Sequence, residues 1–390
     1  MTETTLGSLV KSGALRLGDG YRTKRSELAE SGYRIIRVAD VTDGCVDLSS
    51  PDFVDAAYAK AIGDKAAVEG DVLLTTKGTV GRVAVMPATT ELAAYSPQLC
   101  FFRVLDPQRI DPRFVRYWFS SAEFWNQARD RMNNTDMAAY INLADVRSMS
   151  VTLPPLPAQR AIAEVLGALD DKIAANTRTL ELLNELAAAE VALLTSSTTV
   201  PLSTIAHITM GSSPAGEDLN VTSAGIPFYQ GVRDFGMRFP SYRVWTERPQ
   251  RLAEPGDTLL SVRAPVGRVN IARDTSCIGR GVASVRSKTG SPFTLFHLLA
   301  ANDEAWLPFE SEGTVFGSIN RRQLESVPVP VVPESSASDL ERRLTSIETR
   351  LAGATLENER LAATRDALLP ALMSGRLRVK DAEKVVSDAV

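Results

Sequence analysis

Residues 70–85 read GDVLLTTKGTVGRVAV, and residues 256–271 read GDTLLSVRAPVGRVNI. The same glycine, aspartate, leucine, valine and arginine residues recur at matched places in the two stretches, which lie 186 residues apart. Farther along, Trp125 aligns with Trp306, and the Ile-Asn dipeptide at 141–142 aligns with the one at 319–320. Agreement of this length and order indicates an internal duplication of the chain.

Each half of the duplication ends in a proline-rich stretch, LPPLP or VPVPVVP, and then enters a long segment rich in leucine and alanine. We therefore predict an α+β protein, in which two long antiparallel coiled-coil helices separate two duplicated mixed α/β domains. The predicted ranges are 1–155 for the first domain, 156–196 for the first long helix, 197–333 for the second domain, 334–376 for the second long helix and 377–390 for a C-terminal tail.

Short apolar runs that are rich in β-branched residues and bounded by Gly, Pro or Asp predict the strands of the two domains. The predicted strands are Tyr33–Val38, Asp71–Thr75, Gly81–Val85 and Leu99–Val104 in the first half, and Thr258–Val262, Arg268–Ile271 and Val282–Val285 in the second. Apolar residues at helical spacing predict one helix over 112–130 and another over 292–306.

The two long segments keep a 3.5-residue apolar period over more than four heptads, as coiled coils do. The apolar seams cover residues 162–194 and 340–372, and each contains one asparagine, Asn176 in the first and Asn358 in the second. One antiparallel register places these two residues opposite each other. Because a buried asparagine is costly without a partner, we predict that the Asn176–Asn358 pair fixes this register.

Two unrelated amphipathic helices, with Asn176 and Asn358 at the edges of their seams, are the alternative to this pair. Glu190 and Arg365 lie on the seams without a similar match and weaken the predicted pairing. If the helices do pair, each seam spans about 48 Å at about 1.5 Å per residue. We then expect the two domains to be held apart at opposite ends of a stiff rod.

The composition argues against several classes of protein. Three scattered cysteines, Cys45, Cys100 and Cys277, suit a reducing cytoplasm better than a disulfide framework or a zinc site. The two histidines, His207 and His297, lie in apolar contexts and are too few for a catalytic triad in each half. A secretory signal, a membrane-spanning run, a phosphate-binding loop and a GxGxxG motif are all missing from the sequence. We therefore expect no bound cofactor, no metal and no catalytic residue.

Cationic residues are concentrated in residues 11–37 and 230–286, although the net charge is −4. Arginine binds phosphate and, through a bidentate hydrogen bond, the O6 and N7 atoms of guanine. A run of charges usually marks only a solvated surface, but Lys77 and Arg263 occupy the same turn of both repeats. Our candidates for nucleic-acid contact are Arg22, Lys24, Arg25, Lys77, Arg82, Gln98, Gln230, Arg233, Arg263, Arg268 and Arg280.

Several stretches resemble the specificity subunit of a type I restriction-modification enzyme (the HsdS family). Besides the repeat at 256–271, they are GIPFYQGVRDFG at 225–236, CIGRG at 277–281, FGSINRRQLESVPVPVVP at 316–333, LPPLPAQRAIAEVLGALDDKI at 153–173 and LLPALMSGRL at 368–377. They follow the order of the family over nearly the whole chain. The first half lacks an FYQG-like segment, and we expect residues 33–40, YRIIRVAD, to take its place.

The resemblance implies two target-recognition domains, each reading one half of a split double-stranded DNA sequence, with the long helices setting the gap. It also implies that two methyltransferase subunits, which bind S-adenosylmethionine, and endonuclease/translocase subunits, which use ATP and Mg, assemble with this chain. The chain itself would then bind no cofactor, catalyse no reaction and act in the cytoplasm of a bacterium or archaeon.

Two other functions stay open on the sequence alone. A two-headed coiled-coil scaffold would bind protein ligands, and salt-dependent binding to duplex DNA or co-purification with a methyltransferase distinguishes it from a specificity subunit. A third hypothesis is that the chain is an enzyme that acts without partner subunits, and the missing cofactor motifs argue against it. The target bases are not predictable, because groove contacts depend on loop conformation.

Overall fold

The computed structural model describes residues 2–42, 44–134, 139–310 and 317–387. The chain folds into two compact units, one made of Met1–Lys172 and Arg360–Val390 and the other of Ile173–Glu359. Each unit contains one half of the repeat and a part of each long helix. Phe316, which begins one of the stretches that carry the resemblance, and residues 388–390 of the predicted tail lie outside the described residues.

The first unit is a mixed α/β domain of short elements. Its strands are β1 (Thr2–Thr5), β2 (Leu15–Asp19), β3 (Leu28–Ala29), β4 (Tyr33–Ile36), β5 (Val41–Thr42), β6 (Cys45–Val46), β7 (Phe53–Val54), β8 (Val72–Thr75), β9 (Val83–Val85), β10 (Ala93–Tyr95), β11 (Leu99–Val104), β12 (Asn133–Asn134), β13 (Ala139–Tyr140) and β14 (Ser150–Leu153). Its helices are α1 (Leu6–Lys11), α2 (Ala59–Ile62), α3 (Pro112–Phe119), α4 (Ala122–Arg131) and α5 (Leu143–Ser148), and the long helix α6 (Leu156–Leu194) follows.

The second unit is also a mixed α/β domain of short strands and helices. Its strands are β15 (Thr199–Pro201), β16 (Ala206–Met210), β17 (Leu219–Asn220), β18 (Ile226–Tyr229), β19 (Trp245–Thr246), β20 (Leu252–Ala253), β21 (Thr258–Ser261), β22 (Val269–Ile271), β23 (Ser276–Ile278), β24 (Val282–Ser287) and β25 (Pro328–Pro330). Its helices are α7 (Leu202–Ile205), α8 (Pro292–Ala300), α9 (Asp303–Trp306) and α10 (Arg321–Ser326), and the long helix α11 (Glu334–Met373) follows. The last helix, α12 (Val379–Ser387), belongs to the first unit.

The predicted duplication is confirmed by the sheets. An antiparallel sheet with strand order β2-β11-β8-β9 in the first unit corresponds to the sheet β16-β24-β21-β22 in the second. The other main sheet of each unit contains a parallel pair, β4 with β10 and β18 with β23. Each strand predicted from the sequence overlaps an observed strand. The fold is therefore α+β with two copies of one mixed domain and two long helices.

Two features of the prediction are wrong in detail. The helices predicted over 112–130 and 292–306 are each divided in two, at Ser120–Ser121 and at Ala301–Asn302. Ser121 starts α4 as its N-cap, with its hydroxyl accepting a hydrogen bond from the Phe124 amide at 3.3 Å. Serine hydroxyls compete in this way with the continuation of a helix. The predicted C-terminal tail contains α12 within its described residues.

A tryptophan packed against the chain explains one glycine that recurs in both repeats. Gly81 and Gly267 have φ angles of 100° and 85°, a left-handed region that favours glycine. A Cβ atom would lie 2.2 Å from the Trp125 ring at Gly81 and 2.2 Å from the Trp306 ring at Gly267. The recurrence of both the glycine and the tryptophan thus has one cause, which is the contact between them.

The aspartate that recurs in the repeat is a buried partner of an arginine. Asp71 accepts two hydrogen bonds from the Arg103 guanidinium, both at 2.7 Å. Asp257 accepts the same pair from Arg286 at 2.6 and 2.9 Å. These bidentate ion pairs connect adjacent strands of the antiparallel sheets. Asp71 directly precedes β8 and pairs with Arg103 of β11, and Asp257 directly precedes β21 and pairs with Arg286 of β24.

The repeated Ile-Asn dipeptides begin two short helices. Asn142 Oδ1 accepts a hydrogen bond from the Asp145 amide at 2.8 Å, and Asn320 Oδ1 accepts one from the Gln323 amide at 3.1 Å. The asparagines are therefore the N-caps of α5 and α10, a position for which this side chain is suited.

The long helices pair in the antiparallel sense. In the second unit Glu190 of α6 contacts Arg343 of α11 at 2.8 Å, and Asn176 of α6 contacts Glu357 of α11 at 2.7 Å. The residue number of the partner in α11 falls as the residue number along α6 rises, as antiparallel pairing requires. Each of these two contacts is offset by one residue from the predicted register. In the first unit Arg365 binds Asp170 at 2.8 Å. Glu190 and Arg365, which had no match in the sequence, thus have oppositely charged partners.

The predicted pairing of Asn176 with Asn358 is replaced by hydrogen bonds from each asparagine to another residue. Asn176 donates to the Glu357 carboxylate instead, and Asn358 donates to Thr177 Oγ1 at 3.3 Å and to the Ile173 carbonyl at 3.4 Å. A charged acceptor binds an amide donor more strongly than a second carboxamide does, so Glu357 is the better partner. Both asparagines still join α6 to α11, but each does so through a neighbour of the other.

In the part of the chain that the structure describes, none of the helices has the length and apolar character needed to span a bilayer.

The glycine–tryptophan contact yields a test of the fold. Gly267→Ala should lower the free energy of unfolding by about 1–3 kcal/mol or more. The new methyl group would collide with the Trp306 ring, and alanine would be strained at this φ angle. Gly256→Ala is the matched control, since Gly256 has the same φ of 85° and no atom within 4 Å of its Cβ position. Denaturant unfolding of both variants measures the difference. Equal destabilisation would show that the ring contact contributes nothing.

Candidate nucleic-acid interface

One groove in the first unit brings together most of the residues predicted from the first half. It has a volume of about 340 Å³, and residues 21–25, the turn after β8 and the loop between β10 and β11 line it. The predicted residues that line it are Arg22, Lys24, Arg25, Lys77 and Gln98.

A corresponding groove lies in the second unit. It has a volume of about 470 Å³, and Phe228 and Pro265 contribute apolar surface to it. The predicted residues that line it are Gln230, Arg233, Arg263 and Arg280. Each half of the repeat thus forms a groove from residues that are far apart in the sequence.

Equivalent turns place one cation in each groove. Lys77 follows β8 and Arg263 follows β21, and single β-bridges pair them with Tyr140 and Ser318. The bridge holds the backbone of the turn while both cationic side chains stay exposed. The matched positive charge in the sequence repeat therefore corresponds to a matched position in space within each unit.

The other side of each groove begins where a parallel pair of strands ends. Beyond β10 and β23, the Ser96 amide donates to the Ile36 carbonyl at 2.9 Å, and the Gly279 amide donates to the Tyr229 carbonyl at 2.8 Å. A 3₁₀ helix follows in both units, over Val38–Asp40 and Val232–Asp234. Residues 33–40 therefore take the place of the FYQG-like segment, as predicted.

The grooves present cations to solvent. Arg22, Lys24, Arg25 and Lys77 are exposed in the first groove, as are Arg233, Arg263 and Arg280 in the second. No ion pair involving these seven side chains occurs within the described ranges. The carboxylate of Asp234, at the edge of the second groove, accepts hydrogen bonds from the backbone amides of Gln230 and Gly231. Such surfaces attract the phosphates of nucleic acids.

Two candidates lie outside the linings of the grooves. Arg82 is half-buried, and its Nη1 atom donates to the Val41 carbonyl at 3.2 Å. Arg268 is exposed, and its backbone amide donates to Ser261 Oγ at 2.8 Å. These two matched positions of the repeat belong to the turn that follows Lys77 or Arg263 rather than to the groove surface.

Two arginines of the cationic stretches have structural roles, and one further arginine, which was not among the candidates, lines a groove. Arg238 and Arg286 belong to the cationic stretch 230–286, but Arg238 is buried and Arg286 is the partner of Asp257. Arg37 lines the first groove while it pairs with Asp52. Its position directly after β4, where the second unit has Gln230 after β18, was a signal that could have identified it.

The described residues that line the two grooves include no histidine and no cysteine. Within residues 2–42, 44–134, 139–310 and 317–387, no group of three His, Cys, Asp or Glu side chains could hold a metal ion. His207 is exposed on β16, and His297 is buried in α8, so neither lines a groove. The arrangement of the described residues is suited to recognition of a polyanion.

Comparisons with known proteins agree with this geometry. The sequence profile of the type I restriction modification DNA specificity domain matches residues 2–185. A protein of Methanocaldococcus jannaschii, provisionally named the specificity subunit of the type I restriction enzyme MjaX, is 25% identical over 386 residues, which cover 92% of this chain and 90% of that protein. The crystal structure of a type I restriction-modification S subunit from M. genitalium superposes with a TM-score of 0.61 at 16% identity, covering 95% of both chains, and thus shares the fold.

The profile covers the first domain and part of α6, and the second domain repeats the fold of the first. The similarity to the M. jannaschii protein extends over almost the full length of both proteins. Residues 2–185 therefore match the specificity domain of type I restriction-modification systems, and the chain is similar over most of its length to a specificity subunit.

Proposed function

We propose that this chain is a specificity subunit that reads a bipartite duplex target, with each recognition domain binding one half-site through its groove. The observation that carries the proposal is that equivalent loops form a cationic groove twice, once in each half of the repeat. The cations are exposed, and those of the two central turns occupy matched positions. A scaffold for protein ligands would not require the same cationic groove in both domains.

The chemistry of the groove residues suits both parts of DNA recognition. Arginine and lysine bind phosphates, which gives affinity without sequence preference. Arginine forms a bidentate pair with guanine, and glutamine forms one with adenine, so Gln98 and Gln230 add the means to read a second base. One groove alone binds weakly. Two grooves on one chain make the second contact intramolecular, which raises affinity and specificity together.

The reaction would lie in partner subunits. We propose that two methyltransferase subunits supply S-adenosylmethionine, that endonuclease/translocase subunits supply ATP and Mg chemistry, and that the complex acts in the cytoplasm. A methylated base must leave the stack to enter a catalytic pocket. On this proposal the present chain binds no cofactor and holds the DNA in place, while the methyltransferase reacts with the base.

Removal of the central cations should weaken DNA binding. Lys77→Ala or Arg263→Ala should cost about 1–3 kcal/mol at one half-site if the side chain reads a base. If the side chain contacts only phosphate, affinity should fall evenly over all sequences, and the salt slope should fall by about one. Titration of labelled duplexes at several salt concentrations measures both effects. Arg342→Ala, which removes an exposed cation of α11, is the control. Unchanged affinity and slope in both groove variants would refute the grooves as the DNA surface.

Exchange of one domain should change one half-site. Replacement of residues 1–152 by the same part of another specificity subunit should alter one half of the recognised sequence and keep the other, because each groove is formed within one unit. Sequencing of methylated sites in a host that expresses the hybrid measures the outcome. A change in both half-sites would contradict independent reading by the two domains.

The isolated chain should transfer no methyl group. Incubation of the pure chain with labelled S-adenosylmethionine and duplex DNA should leave the DNA unlabelled, and addition of the methyltransferase subunits should start incorporation. Incorporation by the chain alone, at a rate that does not fall as traces of methyltransferase are removed, would contradict a purely recognising role.

A further inference from the structure

A buried carboxylate of the second unit joins its recognition domain to the long helices. Glu348 of α11 is 3% exposed, and its Oε2 atom accepts a hydrogen bond from Arg238 Nε at 2.7 Å. Its Oε1 atom accepts one from His297 Nε2 of α8 at 2.6 Å and also pairs with Arg238 Nη2. Arg238 Nη1 in turn lies 3.3 Å from Asn184 Oδ1 of α6. We name Glu348, Arg238 and His297 the second carboxylate cluster.

The protonation states in this cluster follow from its burial. Burial, and then the nearby charge of Arg238, lowers the pKa of His297 to about 3, so the imidazole is neutral and donates its Nε2 proton. Burial lowers the pKa of Arg238 to about 10, so the guanidinium stays charged at neutral pH. The cluster therefore holds one guanidinium, one carboxylate and one neutral donor.

The first unit contains a cluster of the same design. Asp170 of α6 accepts a hydrogen bond from the Tyr117 hydroxyl at 2.7 Å and forms ion pairs with Arg116 and Arg365, both at 2.8 Å. Its side chain is 10% exposed. Arg116 and Tyr117 belong to α3 and Arg365 belongs to α11. We name Asp170, Arg116, Tyr117 and Arg365 the first carboxylate cluster.

The two clusters occupy equivalent positions of the repeat. Asp170 precedes Glu348 by 178 residues, which is also the separation of the seams that begin at Ile162 and Leu340. Tyr117 and His297 are each the sixth residue of a helix that begins with proline, α3 and α8 respectively. The carboxylate and its neutral donor therefore recur at matched places, although the residue types differ.

The guanidinium recurs too, but a different element supplies it. Arg116 is the fifth residue of α3, where α8 has Phe296. Arg238 lies four residues after the 3₁₀ helix Val232–Asp234, and the residue four places after the first 3₁₀ helix is Gly44.

In space, these substitutions compensate each other. The Arg116 Nη2 atom lies against Gly44, at 3.0 Å from the position of a Cβ on that glycine. The Arg238 guanidinium lies over the Phe296 ring, 4.6 Å from its centroid. The first repeat thus has Gly44 and Arg116 where the second has Arg238 and Phe296. In each repeat this pair of positions supplies one guanidinium to the buried carboxylate, and in the first cluster Arg365 of α11 supplies a second.

The second cluster is also directly connected to the groove. In the segment 231–238, Gly231 and Arg233 line the groove, and Arg238, at the other end of the segment, binds Glu348 in the second carboxylate cluster. The Arg238 carbonyl accepts a hydrogen bond from the Ile271 amide at 3.1 Å, which ties this segment to β22. A rotation of the domain on α11 would therefore break the ion pair and move the groove together.

We propose that Asp170 and Glu348 are positioning residues that fix the angle of each recognition domain on the long helices and so make the protein select one spacing between half-sites. This inference rests on the proposed bipartite recognition. Apolar contacts are not directional, whereas a buried bidentate ion pair with a further donor allows one orientation. Neighbouring spacings differ by about 3.4 Å and about 35° along B-DNA, and a domain held at one angle distinguishes them.

The test uses the full chain with its methyltransferase subunits. A plasmid carries the native target and copies whose spacer is one base pair shorter or longer, and the methylated fraction of each copy is measured. In the variant Arg238→Met/Glu348→Leu, apolar residues of similar size replace the buried ion pair, an exchange that proteins often tolerate. We expect the preference for the native spacing to fall at least tenfold, with the bases of both half-sites unchanged.

A rescue variant and a control separate positioning from simple loss of stability. Arg238→Gly should lose the spacing preference, and Arg238→Gly/Phe296→Arg, which copies the first cluster, should restore it to within about threefold of the wild type. Arg273→Ala/Glu359→Ala removes a partly exposed ion pair of the same unit and should leave the preference unchanged. Restoration by the double variant supports the proposal even if the apolar variant is not recovered as folded protein.

Two results would overturn the inference. A folded apolar variant with the wild-type spacing preference, or a double variant that methylates all spacings as Arg238→Gly does, would show that the cluster does not set the angle. A wild-type complex that methylates no bipartite sequence would instead refute the proposed function, on which the inference rests.

Discussion

A glycine packed against a tryptophan ring closes the turn from which each groove takes its central cation. At Gly81 and Gly267 a Cβ atom would lie 2.2 Å from the ring of Trp125 or Trp306, so only glycine allows this close approach. This turn places Lys77 or Arg263 at the groove. A β-bridge holds the backbone there, and the cationic side chain is exposed to solvent. The remaining groove residues come from other loops and strands, so the glycine–tryptophan contact fixes the part of each groove that carries the central cation.

The duplication made much of this arrangement predictable. Because the same turn occurs twice in the sequence, Lys77 and Arg263 could be selected from many surface cations, and both line grooves. The strands were predictable because short β-branched runs are bounded by glycine, proline and aspartate. The breaks in the helices after α3 and α8 were not, since apolar spacing continues through both of them. At the first break the side chain of Ser121 caps the start of a new helix, which apolar spacing does not indicate.

Interactions between residues far apart in the chain limited the prediction. Arg238 and Glu348 are separated by 110 residues, and nothing in a local run of charges indicates that this arginine is buried in an ion pair. The seam asparagines show the same limit at finer scale. The heptad pattern identified the antiparallel register to within one residue, but successive residues on a helix point about 100° apart. Whether Asn176 meets Asn358 or Glu357 therefore depends on helix rotation, which the apolar period does not specify.

The central claim is that two similar grooves on one chain read two half-sites of one target. Single-molecule sequencing of methylated bases in a host with and without this gene tests it most directly. The account predicts that one bipartite motif with a fixed spacer is methylated only when the gene is present. A methylation pattern that does not depend on the gene, or a continuous motif without a spacer, would contradict the account.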